Sequence, residues 1–169
     1  MSPVVVFVGP PGAGKSTVAE LVAAELGVDV RDTDQDIEAS EGVSVQDIFI
    51  DHGEAHFRAL EEKAVAAALD EHDGVISLGG GAVLSPETRA TLAGHRVIFL
   101  DVGLAAAVRR VGMNSGRPLL LGNVRTQLKN LMDQRRVLYR DVASFTIDTD
   151  ELDAPKVAEQ AITLIKENR

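Results

Sequence analysis

The sequence predicts an α/β fold in three layers, a parallel sheet with helices on both faces. Three observations carry that expectation. Short continuous runs of β-branched and aromatic residues alternate with longer stretches of helical periodicity. Glycine clusters directly follow the first and third of those runs, at the edge where open α/β sheets bind ligands. Aromatic residues make up only 4% of the 169-residue chain and tryptophan is absent, so the core is built from Val, Leu, Ile and Ala. A sheet packed between helices uses that palette well.

Val4 to Val8 is the first strand, an uninterrupted apolar run. A glycine loop follows, then a helix carrying Val18, Leu21, Val22 and Leu26, with Gly27 as its C-cap. Val28 to Arg31 is a brief second strand that ends at Asp32-Thr33-Asp34. Ile37 to Leu69 reads as helices broken near Gly42 and Gly53. Gly74 to Leu78 is the third strand, leading into Gly79-Gly80-Gly81. Ser85 caps a helix with Pro86 in its first turn. Arg96 to Asp101 is the fourth strand and Leu104 to Val111 a helix. Gly112 to Gly122 breaks periodicity with three glycines and a proline, and is read as a mobile loop. Val124 to Tyr139 is a helix and Ser144 to Ile147 the last strand. A final helix, capped by Asp153, buries Val157, Ala161, Ile162 and Ile165. No linker divides the chain, so residues 1–169 are expected to form one domain.

The formal net charge is −9, which disfavours nucleic acid and anionic membranes as partners. Cysteine is absent, which excludes disulfides, Cys-ligated zinc and thiol nucleophiles. No signal-peptide pattern and no membrane-length apolar run is present, and the expected location is the cytoplasm.

Gly9-Pro10-Pro11-Gly12-Ala13-Gly14-Lys15-Ser16 matches the phosphate-loop pattern G-x-x-x-x-G-K-S/T in full. Gly12 and Gly14 let successive backbone N–H groups turn inward around a phosphate. The following helix aims its positive end at the same anion. Lys15 reaches the terminal phosphates and the Ser16 hydroxyl suits Mg²⁺. The candidate nucleotide contacts are Gly12, Ala13, Gly14, Lys15, Ser16 and Thr17. The motif alone defines a nucleotide site, not a reaction. The Asn-Lys-x-Asp and Asp-x-x-Gly signatures of signalling GTPases are absent.

Asp32 and Asp34 stand two apart, which on a strand turns both carboxylates to one side. Equally, the pair reads as a helix N-cap with a spare surface acid. Arg58 suits a bidentate grip on a carboxylate, or a surface pair with Glu61. His56 is given no role. Gly79-Gly80-Gly81 permits a ligand to approach bare backbone N–H groups. Arg117, in the glycine-broken loop, is placed to close over a transferring phosphate. Arg135 and Arg136 lie on the next helix, and composition does not say which points inward.

Together these stretches resemble the shikimate kinase family. They are GPPGAGKST, DTD at Asp32 to Asp34, GEAHFR ending at Arg58, SLGGGAV from Ser77, RPLL from Arg117 and RRVLY at Arg135 to Tyr139. The resemblance spans Val4 to about Tyr139. It implies a nucleoside monophosphate kinase-like fold with five parallel strands in the order 2-3-1-4-5, and transfer of a phosphoryl group from ATP to the 3-hydroxyl of shikimate. By the same resemblance, Asp34 holds the acceptor hydroxyls and orients or deprotonates the one that reacts. Arg58 and Arg135 grip the carboxylate, the Arg-x-x-Leu-Tyr register selecting Arg135 over Arg136. Gly80 and Gly81 offer N–H groups, and Lys15 and Arg117 hold phosphates. Ser16 ligates Mg²⁺ and Asp32 holds it through water. Residues 112–123 resemble a lid, and Arg109 or Arg110 the arginine beside adenine, with Arg110 the candidate. A substrate-binding region at about 33–61 and a monomeric state are also implied. One departure is Asp150 to Pro155, which is acidic where some members carry an arginine. The rival readings are a gluconate-type kinase and a nucleotide-binding regulator without turnover. The Arg58 and Arg135 pair argues against the first, and the intact set of site residues against the second.

Overall fold

The computed structural model describes residues 2–115 and 122–168. Five strands, β1 (Val5–Val8), β2 (Val30–Asp32), β3 (Val75–Ser77), β4 (Val97–Asp101) and β5 (Phe145–Asp148), form one sheet in the order β2-β3-β1-β4-β5. Every pairing is parallel. Val6 lies between Ile76 on β3 and Val97 on β4, which sets the register at the centre.

The pleat sends alternate residues to opposite faces. Val5 and Phe7 join one buried cluster with Ile98, Leu100 and residues of the helices α1 (Lys15–Leu26) and α8 (Ala154–Glu167). Val6 and Val8 join the other with Phe99, Val65 and Leu69 of α4 (Glu54–Glu71), and Tyr139 of α7 (Gly122–Val142). β1 is therefore buried on both faces, as its unbroken apolar run requires. A third, smaller cluster of Ile37, Ile48 and Phe57 joins α2 (Thr33–Glu41), α3 (Val45–His52) and α4 beside the C-terminal end of β2.

Several boundaries differ from the sequence expectation. β2 runs to Asp32 and α2 starts at once with Thr33, because the Asp32 carboxylate accepts hydrogen bonds from the Asp34 and Gln35 N–H groups and so caps the helix. Asp34 is thus a first-turn helical residue, and the argument from strand alternation does not apply to it. α6 (Leu104–Ser115) and α7 extend into both ends of the stretch read as a loop over 112–123, so those ends are helical. A turn of 3₁₀ helix over Ala82–Leu84 follows the glycine triplet, and α5 (Pro86–Leu92) is capped by Ser85 as expected.

Candidate active site

The glycine loop lies at the C-terminal end of β1, with Gly12 at φ +85° and Gly14 at φ +82°. Those backbone angles are costly for any residue with a Cβ. The loop opens onto a cavity of about 520 Å³ whose lining includes Gly12, Lys15, Ser16, Thr17, Asp32, Asp34, Gly79, Gly80 and Arg110. The structure therefore gathers the phosphate loop, Asp32, Asp34, Gly80 and Arg110 around one space, whereas Arg58, Gly81 and Arg135 are not part of its lining.

The Lys15 ammonium donates to the carbonyls of Gly9 (2.7 Å) and Pro10 (3.0 Å), which curls it over its own loop. Burial lowers its pKa from 10.5 to about 8, while Asp34 and Asp32 pull it back up. Ser16 donates its hydroxyl to the second Asp32 oxygen at 3.0 Å. Asp32 thus caps α2 with one oxygen and accepts from the phosphate-loop serine with the other.

Asp34 is the strained group of the site. Its Oδ1 is buried without a hydrogen-bond partner among the described residues. Burial, then the neighbouring Glu61 and Asp32, raise its pKa from 3.8 to about 6. A buried acceptor left open at the rim of a ligand cavity is a place where a donor from outside belongs.

Arg58 donates from Nη1 to Glu61 at 2.7 Å and lies over the Phe57 ring at 5.3 Å. The pair is not a surface pair, because Glu61 is 3% exposed. Its burial raises the carboxyl pKa, against the stabilising charges of Arg58 and Arg135. Glu61 was missed as a site residue by the sequence reading, yet a signal existed. It falls in line with Phe57, Val65 and Ala68 on the buried stripe of α4, and a carboxylate in such a stripe needs a partner. The same signal separates the two arginines of α7. Arg135 continues the stripe of Leu128 and Met132 and is 8% exposed, whereas Arg136 donates to Asp101 at 3.2 Å, at the end of β4.

The glycine triplet closes this side. A Cβ on Gly79 would sit 2.6 Å from Asp34 Oδ1 and 3.0 Å from Glu61 Oε2, and one on Gly81 would overlap the Arg58 guanidinium. Only glycines let the acids and the arginine come this near the backbone.

At the opposite end Arg110 donates to the Gly12 carbonyl (2.9 Å) and to the carbonyl (3.1 Å) and hydroxyl (3.3 Å) of Thr149. Arg109 is exposed, so Arg110 is the one that lines the cavity. Thr149, 1% exposed, was not singled out from the sequence. Arg117 lies outside the described residues. Among the described residues no group of three or more His, Cys, Asp or Glu side chains is arranged to hold a metal, and no helix is long and apolar enough to cross a membrane.

A parallel 2-3-1-4-5 sheet, a full phosphate loop after its central strand, and an acid-and-arginine pocket beside that loop define a P-loop phosphotransferase. The family model described as shikimate kinase matches residues 11–166. The shikimate kinase of Salinispora arenicola is 54% identical over 165 residues, covering 98% of this chain and 99% of that one. That of Streptomyces coelicolor is 48% identical over 165 residues, covering 98% and 96%. The structure of the Acinetobacter baumannii shikimate kinase in complex with shikimate superposes with a TM-score of 0.91 at 32% identity, over 100% of this chain and 95% of that one. This chain belongs to the shikimate kinase family.

Proposed function

We infer that this protein transfers the γ-phosphoryl group of ATP to the 3-hydroxyl of shikimate, yielding ADP and shikimate 3-phosphate on the route to aromatic amino acids. The observation that carries the reading is Asp34, a buried carboxylate with an open oxygen, set between the phosphate loop and the Arg58–Glu61 pair. In the proposed reaction the hydroxyl oxygen bonds to the γ-phosphorus and the bond from that phosphorus to the β,γ-bridging oxygen breaks. ADP leaves with the bond electrons, and the hydroxyl proton passes to Asp34. Its pKa of about 6 keeps it ionised at neutral pH and still basic enough to accept that proton. Arg58 and Arg135 hold the ring carboxylate, Gly80 and Gly81 contribute backbone N–H groups, and Lys15 and Arg117 neutralise phosphate charge. Most of the work is positioning and charge compensation, as phosphoryl transfer requires.

The loop residues Gly12 to Thr17 hold the phosphates and Arg110 the base side. Ser16 and Asp32 suit Mg²⁺. They are hard oxygen donors 3.0 Å apart, and so small a protein donor set leaves the remaining positions to water and phosphate, as this ion prefers. Bound there, Mg²⁺ supplies charge neutralisation at the phosphates. We further propose that residues 1–169 act as one kinase domain, with an acceptor region over about 33–61 and a lid over about 112–123. We also propose a monomer, on the family resemblance, and a cytoplasmic location, on the absence of a signal-peptide pattern and a membrane-length apolar run in the sequence.

The test is ADP release from Mg·ATP with and without shikimate, for the wild type, Asp34→Asn and Arg58→Ala. Shikimate is expected to raise turnover by orders of magnitude, and both variants to abolish the rise. ATP binding without a response to shikimate, alongside turnover of gluconate, would overturn the acceptor assignment.

A further inference from the structure

We propose that Tyr139 is a positioning residue for the acceptor, acting through the peptide bond between Gly80 and Gly81. The proposal rests on the shikimate reading above. The Tyr139 hydroxyl donates a short hydrogen bond to the Gly80 carbonyl. The ring is 1% exposed and stacks on Phe99 at 5.0 Å within the sheet-facing cluster of α7, so the hydroxyl has little freedom to move.

A peptide unit is planar, so fixing the Gly80 oxygen also fixes the direction of the Gly81 N–H on its far side. Drawing electron density toward that oxygen makes the same N–H a stronger donor. Gly81 is buried, and its N–H has no partner among the described residues. Buried backbone donors without partners are rare, and this one lies where a Cβ would meet the Arg58 guanidinium. An N–H and a guanidinium side by side make a site for an anionic oxygen. Gly80 in turn packs on the phosphate loop, where a Cβ would meet Pro11 at 3.1 Å. With no Cβ of its own, the triplet has wide backbone freedom, and the hydroxyl of Tyr139 restricts it.

Helical spacing adds a second role. Arg135 and Tyr139 are four apart on one face of α7, so a single helix presents an arginine and a hydroxyl to the acceptor end together. The buried phenol has its pKa pushed up to about 12, which keeps it a donor across the working pH range.

Tyr139→Phe retains the ring and its stack and removes only the hydroxyl. The KM for shikimate is expected to rise about 5- to 20-fold, with kcat and the KM for ATP within about twofold of wild type, from the loss of one buried hydrogen bond realised in ground and transition states alike. A second readout needs no substrate. In ¹⁵N-labelled protein the Gly81 amide proton is expected to move upfield in the variant, as its peptide oxygen loses its donor. A shikimate KM within twofold of wild type, or equal rises in both KM values, would sink the proposal. So would an unmoved Gly81 resonance. Wild-type protein that ignores shikimate, together with a Gly81 resonance that still moves in Tyr139→Phe, would instead refute the acceptor reading and leave the positioning of this peptide standing.

Discussion

Replacing Asp34 with Asn is expected to abolish turnover and, in the substrate-free protein, to increase stability. The reason is the cost of keeping an ionised carboxylate in the site. In the unfolded chain the group loses its proton near pH 3.8; in the folded protein it keeps it until about pH 6. Between those values the folded state binds more protons, so this group makes stability fall as pH rises through the window and leaves a constant penalty above it. At about 1.4 kcal/mol per pH unit, the rise to about 6 corresponds to about 3 kcal/mol. Partial solvent screening reduces that to about 2 kcal/mol. Asparagine keeps the shape and carries no charge, so it escapes the penalty. Urea unfolding without ligands is the assay, at pH 4 and at pH 7.5. At pH 7.5 the variant is expected to be more stable by about 2 kcal/mol, or about 4–8 °C in Tm for a chain of this size. At pH 4 the difference is expected to shrink below about 0.5 kcal/mol, because Asp34 is then protonated in the folded state and still close to half protonated in the unfolded chain. A variant no more stable than wild type at pH 7.5, or a gain that does not depend on pH, would refute the account of Asp34 as a strained, desolvated acid.

The same titration governs rate. As Asp34 gains its proton below about pH 6, kcat/KM for shikimate is expected to fall with unit slope, and a profile flat to pH 5 would exclude Asp34 as the proton acceptor. Glu61→Gln leaves Arg58 without its ionised partner at 2.7 Å. Steady-state kinetics are expected to show a shikimate KM raised about 5- to 20-fold with the KM for ATP unchanged. Arg110→Ala removes the link between Gly12 and Thr149. It is expected to raise the KM for ATP about 5- to 20-fold and leave the shikimate KM within about twofold, as judged by varying each substrate at saturation of the other.

Much of the fold was legible because its signals are local. An apolar run without alternation specifies a strand buried on both faces, and β1 is such a strand. Gly42 and Gly53 cap or divide helices where expected, since a left-handed or otherwise positive φ favours glycine there. The phosphate loop was legible in full, because its function resides in backbone geometry that glycine positions encode directly. The order of the strands was not legible from periodicity, which carries no information about neighbours. It came from family resemblance, and the observed order agrees.

The acceptor side divides differently. Asp32 and Asp34 were identified as residues, but the reason offered for their orientation was a strand pleat, and a helix cap is what turns them. The pairing of Arg58 with Glu61 was legible from their spacing, yet spacing says nothing of depth. Whether that pair is a weak surface contact or a buried anchor depends on what packs over it. Here residues far apart in the chain enclose the pair: Gly79 lies against Glu61, Gly81 against Arg58, and the Arg135 charge acts on Glu61. By itself, then, the amino-acid order determined the strand and helix segments, the phosphate cradle and the chemical types available for catalysis, all set within a few residues of one another. Only the tertiary structure decided which carboxylate oxygen is buried without a partner among the described residues, how deeply the Arg58–Glu61 pair is buried, and which glycine peptide is held by a tyrosine some sixty positions away. Those are properties of burial and of contacts between distant segments, and pKa, donor strength and ion-pair energy all follow from burial rather than from residue identity.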